Sequence, residues 1–519
     1  MKPFHSILLL TGVLSSSALA IVKLPPVIGN NMVLQSGEPS AIWGWADKDE
    51  KITIKQGGIT IATAVGEGNG RNDKPWRAQL PAQKAGLVAD IEVIGSNNIT
   101  LANVLAGDVW LCSGQSNMVK PLSSNVGYGG VVNEEQELAA APDNQIRFFR
   151  GGGWEVCNPE NVPHFSAVAF FFARKLRAEV HIPVGIMELA AGGTAAELFT
   201  PARMIDGDAE LKAQKAAAQA VHDEIGPKGD AYGKAYKEMK KLAAEAKLKG
   251  EKGPRPPVNQ LSEEDSRRYD AATIMLNSGS MYERIIRPVV PYALKGFVWY
   301  QGEANGLRGG KYAHLMTQLI QGWREDFGGK PAPFIIVALA GWGKPVVCEG
   351  KQGSWPLVRE AMIQVAETVP RAGVISAVDL GDPKNIHPLD KRPVGERAAL
   401  WALNHVYGQK VISEGPGFGK VDFTDGKATV TLTTNKEGVV LKSPGGFELA
   451  GEDRMFYPAK AELKGDSLEV TAAEVAKPAA LRYAFLNFPE CTVFNGAGLP
   501  ALPFRTDDWP VKPVLPVKR

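Results

Sequence analysis

Apolar positions along the chain change their spacing twice. From 21 to 105 they come in short alternating runs, such as Ser40-Ala41-Ile42-Trp43-Gly44-Trp45 and Lys51-Ile52-Thr53-Ile54, broken by Gly, Asn and Asp. A period of two with frequent turn residues predicts a small β-sandwich domain. From 106 to 407 apolar strand candidates at 109–112, 184–189, 296–300, 334–338 and 374–378 alternate with helix-periodic segments at 167–178, 312–327 and 394–403. That alternation predicts an α/β domain, a sheet flanked by helices. Residues 206–270 interrupt it with an Ala-, Lys- and Glu-rich stretch (Tyr236-Lys237-Glu238-Met239-Lys240-Lys241-Leu242), read as a helical insertion with a solvated face. From 408 to 519 the β pattern returns in Ala428-Thr429-Val430-Thr431-Leu432 and Ser467-Leu468-Glu469-Val470-Thr471, followed by a loop-rich tail. The two β regions either pack together or form separate modules.

Composition adds an address and excludes some partners. Lys2, the apolar run 7–13 and Ala18-Leu19-Ala20 form an export signal, so 1–20 is read as a signal peptide with the mature chain starting at Ile21. No cysteine follows the cut, and no later stretch reaches the roughly 20 apolar residues of a membrane span. The expectation is a secreted or periplasmic protein without a membrane anchor. A net charge of +2 gives no sign of a nucleic-acid partner. Cys112, Cys157, Cys348 and Cys491 lack metal-ligand spacing, so no metal and no cofactor are expected. Four exported cysteines allow three disulfide pairings; Cys112, inside an apolar run, is read as a free buried thiol.

The chemistry sits where apolar runs stop. Ser116 follows the 109–112 run in Gly114-Gln115-Ser116-Asn117-Met118. A serine in a tight Gly-centred turn is placed to act as a nucleophile, although a serine at a helix start is equally an N-cap. The second Gly of the G-x-S-x-G elbow is missing, which disfavours the α/β-hydrolase fold. Of seven histidines, His387 alone combines a strand-end position with preceding carboxylates, Asp379 and Asp382. A carboxylate on one imidazole nitrogen leaves the other free to take a serine proton. Backbone N–H groups at Ser116 and around Gly192-Gly193 could hold an oxyanion, with a side-chain amide from Gln301 or Asn305.

These motifs together resemble the sialate O-acetylesterase family of SGNH-type serine esterases. The resemblance is carried by Gly107-Asp108-Val109-Trp110-Leu111, Gly114-Gln115-Ser116-Asn117-Met118, Gly192-Gly193-Thr194 with Glu197, and Trp299-Tyr300-Gln301-Gly302-Glu303 with Asn305. It continues through Trp323-Arg324, Phe327-Gly328, Asn385-Ile386-His387-Pro388, Val394-Gly395 and the tail Pro503-Phe504-Arg505-Thr506-Asp507, with Asn31-Met32-Val33-Leu34-Gln35 at the front. It implies a three-layer α/β/α catalytic domain with N- and C-terminal β-sandwich portions. It implies Ser116 as nucleophile, His387 as base, and an oxyanion hole from the Ser116 and Gly193 backbones with Gln301. Gln115, Asn117, Glu303 and Asn305 become candidate substrate-binding residues. One position departs from the pattern: Asn385 stands two residues before the histidine where the family pattern has Asp. The third catalytic member is therefore assigned to Asp382, with Asn385 or a Ser–His dyad as alternatives.

The resulting expectation is a secreted carbohydrate O-acetylesterase acting on sialic acid or related acetylated glycans through an acetyl-serine intermediate. An acetyl xylan or other polysaccharide esterase with the same site, or a catalytically decayed glycan-binding protein, are the alternatives.

Overall fold

The computed structural model describes residues 21–68, 74–348, 353–434 and 437–511. The proposed signal segment 1–20 lies outside the described residues.

The strand Leu105–Gly114 organises the fold, and all ten of its residues are buried. A strand that is apolar along nearly its whole length must be covered on both faces. Its last seven residues, from Asp108, pair in parallel with Val184–Ala190 on one side, and Trp110 onward pairs with Gly296–Tyr300 on the other. The central sheet then reads Trp154–Cys157, Asp143–Phe149, Val184–Ala190, Leu105–Gly114, Gly296–Tyr300, Phe334–Ala338, Ala372–Ser376. Of these seven strands, only the edge strand Trp154–Cys157 runs antiparallel to its neighbour.

Helices cover both faces, as the alternating pattern predicts. Ala167–Val180 and Arg392–His405 pack together on the face that carries Trp110, whose ring meets Phe172 edge-on. Gly395 makes that helix pair close, because a Cβ there would lie 2.6 Å from the Phe171 Cβ. Tyr312–Asp326 and Trp355–Thr368 cover the opposite face, where Phe297 meets Trp323. The helix Trp355–Thr368 and the strands Asp143–Phe149 and Trp154–Cys157 are absent from the elements expected from spacing alone. The run expected at 374–378 begins two residues earlier, and 378–380 is a 3-10 turn.

The first half of Leu105–Gly114 belongs equally to the N-terminal β region. Val33–Gln35 pairs with Leu105–Gly107 in parallel, and Gly86–Leu87 pairs with Leu105 and Ala106 from the antiparallel side. The Gln35 side chain donates to the buried Asp108 carboxylate (2.7 Å) and accepts from Val109 N (2.9 Å). One apolar core accordingly runs from Val22 to Leu403 across both regions.

Beyond it, a seven-stranded antiparallel sheet from Gly417–Thr424 to Phe504–Arg505 encloses a second core. Arg359, fully buried on the helix Trp355–Thr368, ties the two together. Its guanidinium donates to the carbonyls of Leu339, Ala340, Leu486 and Asn487 at 2.6–3.2 Å. Four carbonyl acceptors replace the water a buried cation would lose, although burial still pulls its pKa down to about 10.

The 206–270 region is helical. A 40-residue helix, Ala209–Leu248, packs against Glu263–Leu276. The two are close at Gly229, where a Cβ would lie 2.4 Å from the Tyr269 ring. All four cysteines are free thiols, and burial pushes that of Cys112 well up. Among the described residues no helix is long and apolar enough to cross a membrane.

The central strand ends under a hard constraint. Gly114 has φ +137°, and a Cβ there would lie 2.1 Å from the Tyr300 carbonyl oxygen. Gly114→Ala is expected to cost about 1–3 kcal/mol in urea unfolding. An unchanged midpoint would show that the turn relaxes freely.

Candidate active site

Beyond Gly114 the chain leaves the sheet in a fixed direction. Gln115 N donates to Tyr300 O (3.0 Å), and Ala191 N donates to Gly114 O (3.0 Å), so both neighbouring strands hold the turn. A single helical turn, Ser116–Val119, follows. Its N-cap position is Gln115, without a side-chain capping bond, so Ser116 is the first helical residue and not the capping one. Ser116 is 8% exposed, and its Oγ makes no hydrogen bond to a described residue.

The His387 loop is built by its own side chains. Asp382 Oδ1 accepts from the N–H groups of Lys384 (2.8 Å) and Asn385 (3.1 Å), and Asn385 Oδ1 accepts from His387 N (2.9 Å). Asp379 is held by the buried Arg397 through two bonds of 2.7 and 2.8 Å. The candidate polarisers of His387 are thus engaged elsewhere. Among the described residues, no side chain hydrogen-bonds its ring.

The ring instead stacks on Tyr128, with centroids 4.7 Å apart and planes inclined by 25°. The Tyr128 hydroxyl donates to Ser116 O (3.2 Å), so one aromatic side chain touches both elements. Lys120 Nζ secures the Tyr128 loop by donating to the Tyr128 carbonyl (2.7 Å). Burial, followed by the positive charges of Lys391 and Lys120, pulls the His387 pKa below its ordinary value. The neutral imidazole, the form able to accept a proton, is favoured.

The Gly192-Gly193 turn lies across from Ser116. A Cβ on Gly192 would sit 3.7 Å from the Ser116 Cβ and 3.8 Å from the Tyr128 hydroxyl. Gly193 is left-handed (φ +69°), and a Cβ there would meet nothing within 4 Å. Among the described residues, the N–H groups of Ser116, Gly192 and Gly193 have no acceptor. The side-chain amides are differently employed. Gln301 Nε2, fully buried, lies within hydrogen-bond reach of Thr194 O (3.0 Å), Asn305 Oδ1 (2.8 Å) and Gln115 Oε1 (3.2 Å). Asn305 Nδ2 donates to Glu197 (2.9 Å), and Asn305 Oδ1 accepts from Ala196 N (3.0 Å). Both amides therefore brace the loop that carries Gly193.

Asn117 lies deeper than a substrate contact. Its Nδ2 donates to Glu303 Oε1 (2.6 Å) and Ile386 O (3.0 Å), and its Oδ1 accepts from Lys391 Nζ (2.6 Å). Burial raises the Glu303 pKa and lowers that of Lys391 to about 7. Glu188, beside the site on Val184–Ala190, is pushed up to about 7 by burial. Tyr128, Lys120, Lys391 and Glu188 were not foreseen from the sequence. Lys391 alone left a trace there, four residues after His387. Among the described residues no group of three His, Cys, Asp or Glu side chains could hold a metal ion.

A serine at the tip of a central parallel strand, an imidazole stacked on the tyrosine that bonds the serine carbonyl, and N–H groups without acceptors beside it are the equipment of an α/β esterase. Comparison with known proteins gives the same class. Residues 270–399 match a family model described as carbohydrate esterase, sialic acid-specific acetylesterase. The mouse sialate O-acetylesterase is 27% identical over 96% of this chain and 97% of its own. The human sialate O-acetylesterase is 27% identical over 92% and 91%. The crystal structure of a carbohydrate acetylesterase from Xanthomonas citri superposes with a TM-score of 0.73 and 29% identity, covering 94% of this chain and all of that one. The protein is an esterase, similar over nearly its whole length to the sialate O-acetylesterases.

The electrostatic account of His387 is open to direct measurement. Its imidazole signal, assigned by loss in His387→Gln, should titrate in NMR below the free-histidine midpoint of about 6.5. A midpoint at or above that value would contradict it.

Proposed function

We propose that this esterase removes O-acetyl groups from sialic acids or related acetylated sugars, with Ser116 as nucleophile and His387 as base. The observation that carries this reading is the convergence at Ser116: a free hydroxyl, the Tyr128-stacked imidazole and the unpaired N–H groups of Ser116 and Gly193. Oγ attacks the acetyl carbonyl carbon while the imidazole takes the hydroxyl proton. The resulting oxyanion is held by backbone N–H groups at Ser116 and Gly193. The ester C–O bond then breaks, and the imidazolium protonates the departing sugar oxygen. Water, deprotonated by the same imidazole, attacks the acetyl-serine and releases acetate.

Asp382 shapes the loop in this reading and does not polarise the ring, which makes the catalytic unit a dyad. Residues 1–20 are read as an export signal, so the enzyme acts outside the cytoplasm. The fit of Ser116 to the family pattern and the relatives named sialate O-acetylesterase support sialic acid as the sugar.

Ser116→Ala should lower turnover of p-nitrophenyl acetate by roughly a thousandfold or more, with an unchanged melting curve. Near-normal activity would sink the assignment. Purified enzyme should release acetate faster from 9-O-acetylated sialic acid than from acetylated xylan; the reverse order would move the reading to plant polysaccharides. Asp382→Asn keeps an oxygen for both turn N–H groups, so its kcat should stay within about tenfold. Loss of a polarising carboxylate costs about 10⁴-fold, and a fall of that size would restore Asp382 as a third member.

A further inference from the structure

We propose that Lys391 is a positioning residue for ester hydrolysis: through Asn117 it locks the His387 loop onto the Ser116 turn. This rests on the assignment of Ser116 and His387 above. Asn117 is the chain neighbour of Ser116, and the carbonyl it holds belongs to Ile386, the chain neighbour of His387. One amide thus spans the two catalytic elements, 269 residues apart in sequence.

Its orientation is dictated from both ends. A carboxylate, Glu303, accepts only from the NH₂ side, and an ammonium, Lys391, donates only to the carbonyl oxygen. Removing Lys391 leaves Oδ1 buried without a donor and frees the amide to turn, which releases Ile386.

A purely structural need could be met without a charge. Lys391 is 1% exposed, and taking an ammonium out of water costs several kcal/mol unless it is paired. Its surroundings are mixed. Glu303 and Asp390 favour the charged form, Lys120 opposes it, and the Tyr300 ring lies 5.5 Å from Nζ. On the other side, the cations facing His387 are Lys391 and Lys120. The ammonium therefore does two things at once: it fixes the loop that carries the base and opposes protonation of the resting imidazole. Without a carboxylate on the ring, geometry has to come from the backbone on either side of it.

Three variants separate these effects. Lys391→Met should lower kcat about 10- to 100-fold, as expected for a slightly misplaced base, with KM changed by less than about threefold. It should also move the acid limb of the kcat/KM profile to higher pH, because the imidazole loses a neighbouring cation. Lys391→Arg, which keeps the charge, should leave the limb near its wild-type position. Asn117→Ser breaks the link but keeps the ammonium, so it should lower kcat without moving the limb. Wild-type kcat and limb in Lys391→Met overturn the proposal, as does a loss of kcat with an unmoved limb, which would make Lys391 structural only. If Lys391→Met fails to fold by circular dichroism, Asn117→Ser decides, and unchanged kcat there overturns the link. Failure of the underlying assignment is read separately: it shows as retained activity in Ser116→Ala, which none of these variants tests.

Discussion

Everything at the catalytic edge depends on how one buried strand ends. Leu105–Gly114 is held along its length by four other strands, so its tip has almost no freedom to move. At that tip the Tyr300 carbonyl occupies the place where a side chain would be and accepts from Gln115 N at 3.0 Å. A residue with a Cβ cannot sit there without displacing the neighbouring strand. The glycine turn therefore projects Ser116 out of the sheet in one direction, and the positions of Gly193, Tyr128 and His387 have meaning only relative to it.

Around that fixed point the loops are mobile by origin and rigid by hydrogen bonding. Gln301 and Asn305 pin the Gly193 loop to the end of Gly296–Tyr300. Asn117 pins the His387 loop to the serine turn. Lys120 closes the Tyr128 loop. Each is a buried polar side chain that bonds a backbone group of another segment, and leaving one unpaired costs about 1–3 kcal/mol. The polar residues of the motifs serve mainly to preorganise, and the reacting groups are few.

The same arrangement explains an unusual electrostatic balance. A triad places a carboxylate behind the imidazole and favours its charged form. Here Asp382 and Asn385 are spent on the backbone of the loop, and the charges that act on the ring are the ammonium groups of Lys391 and Lys120. The ring is oriented by stacking on Tyr128 and by its anchored chain neighbours. A lowered pKa keeps the resting imidazole neutral, the state that the proposed role of base needs.

Alternation of apolar runs and helical periods carried the α/β class, because a sheet covered on both faces leaves unbroken apolar stretches. It singled out Ser116, His387 and the Gly193 turn as candidates, because each follows such a run and strand ends are where loops reach the surface. Short or edge strands such as Trp154–Cys157 left little periodic trace. Residue type alone does not say whether Asp382, Gln301 and Asn305 face the reactants or the backbone; in the structure each bonds the backbone of a loop. Tyr128, in a glycine-rich loop, gave no signal. Sequence by itself determined which strand ends carry polar chemistry, because local spacing encodes burial. Only the tertiary structure decided which of those groups face the serine and which brace the loops, because hydrogen-bond partners hundreds of residues apart are chosen by packing and not by spacing.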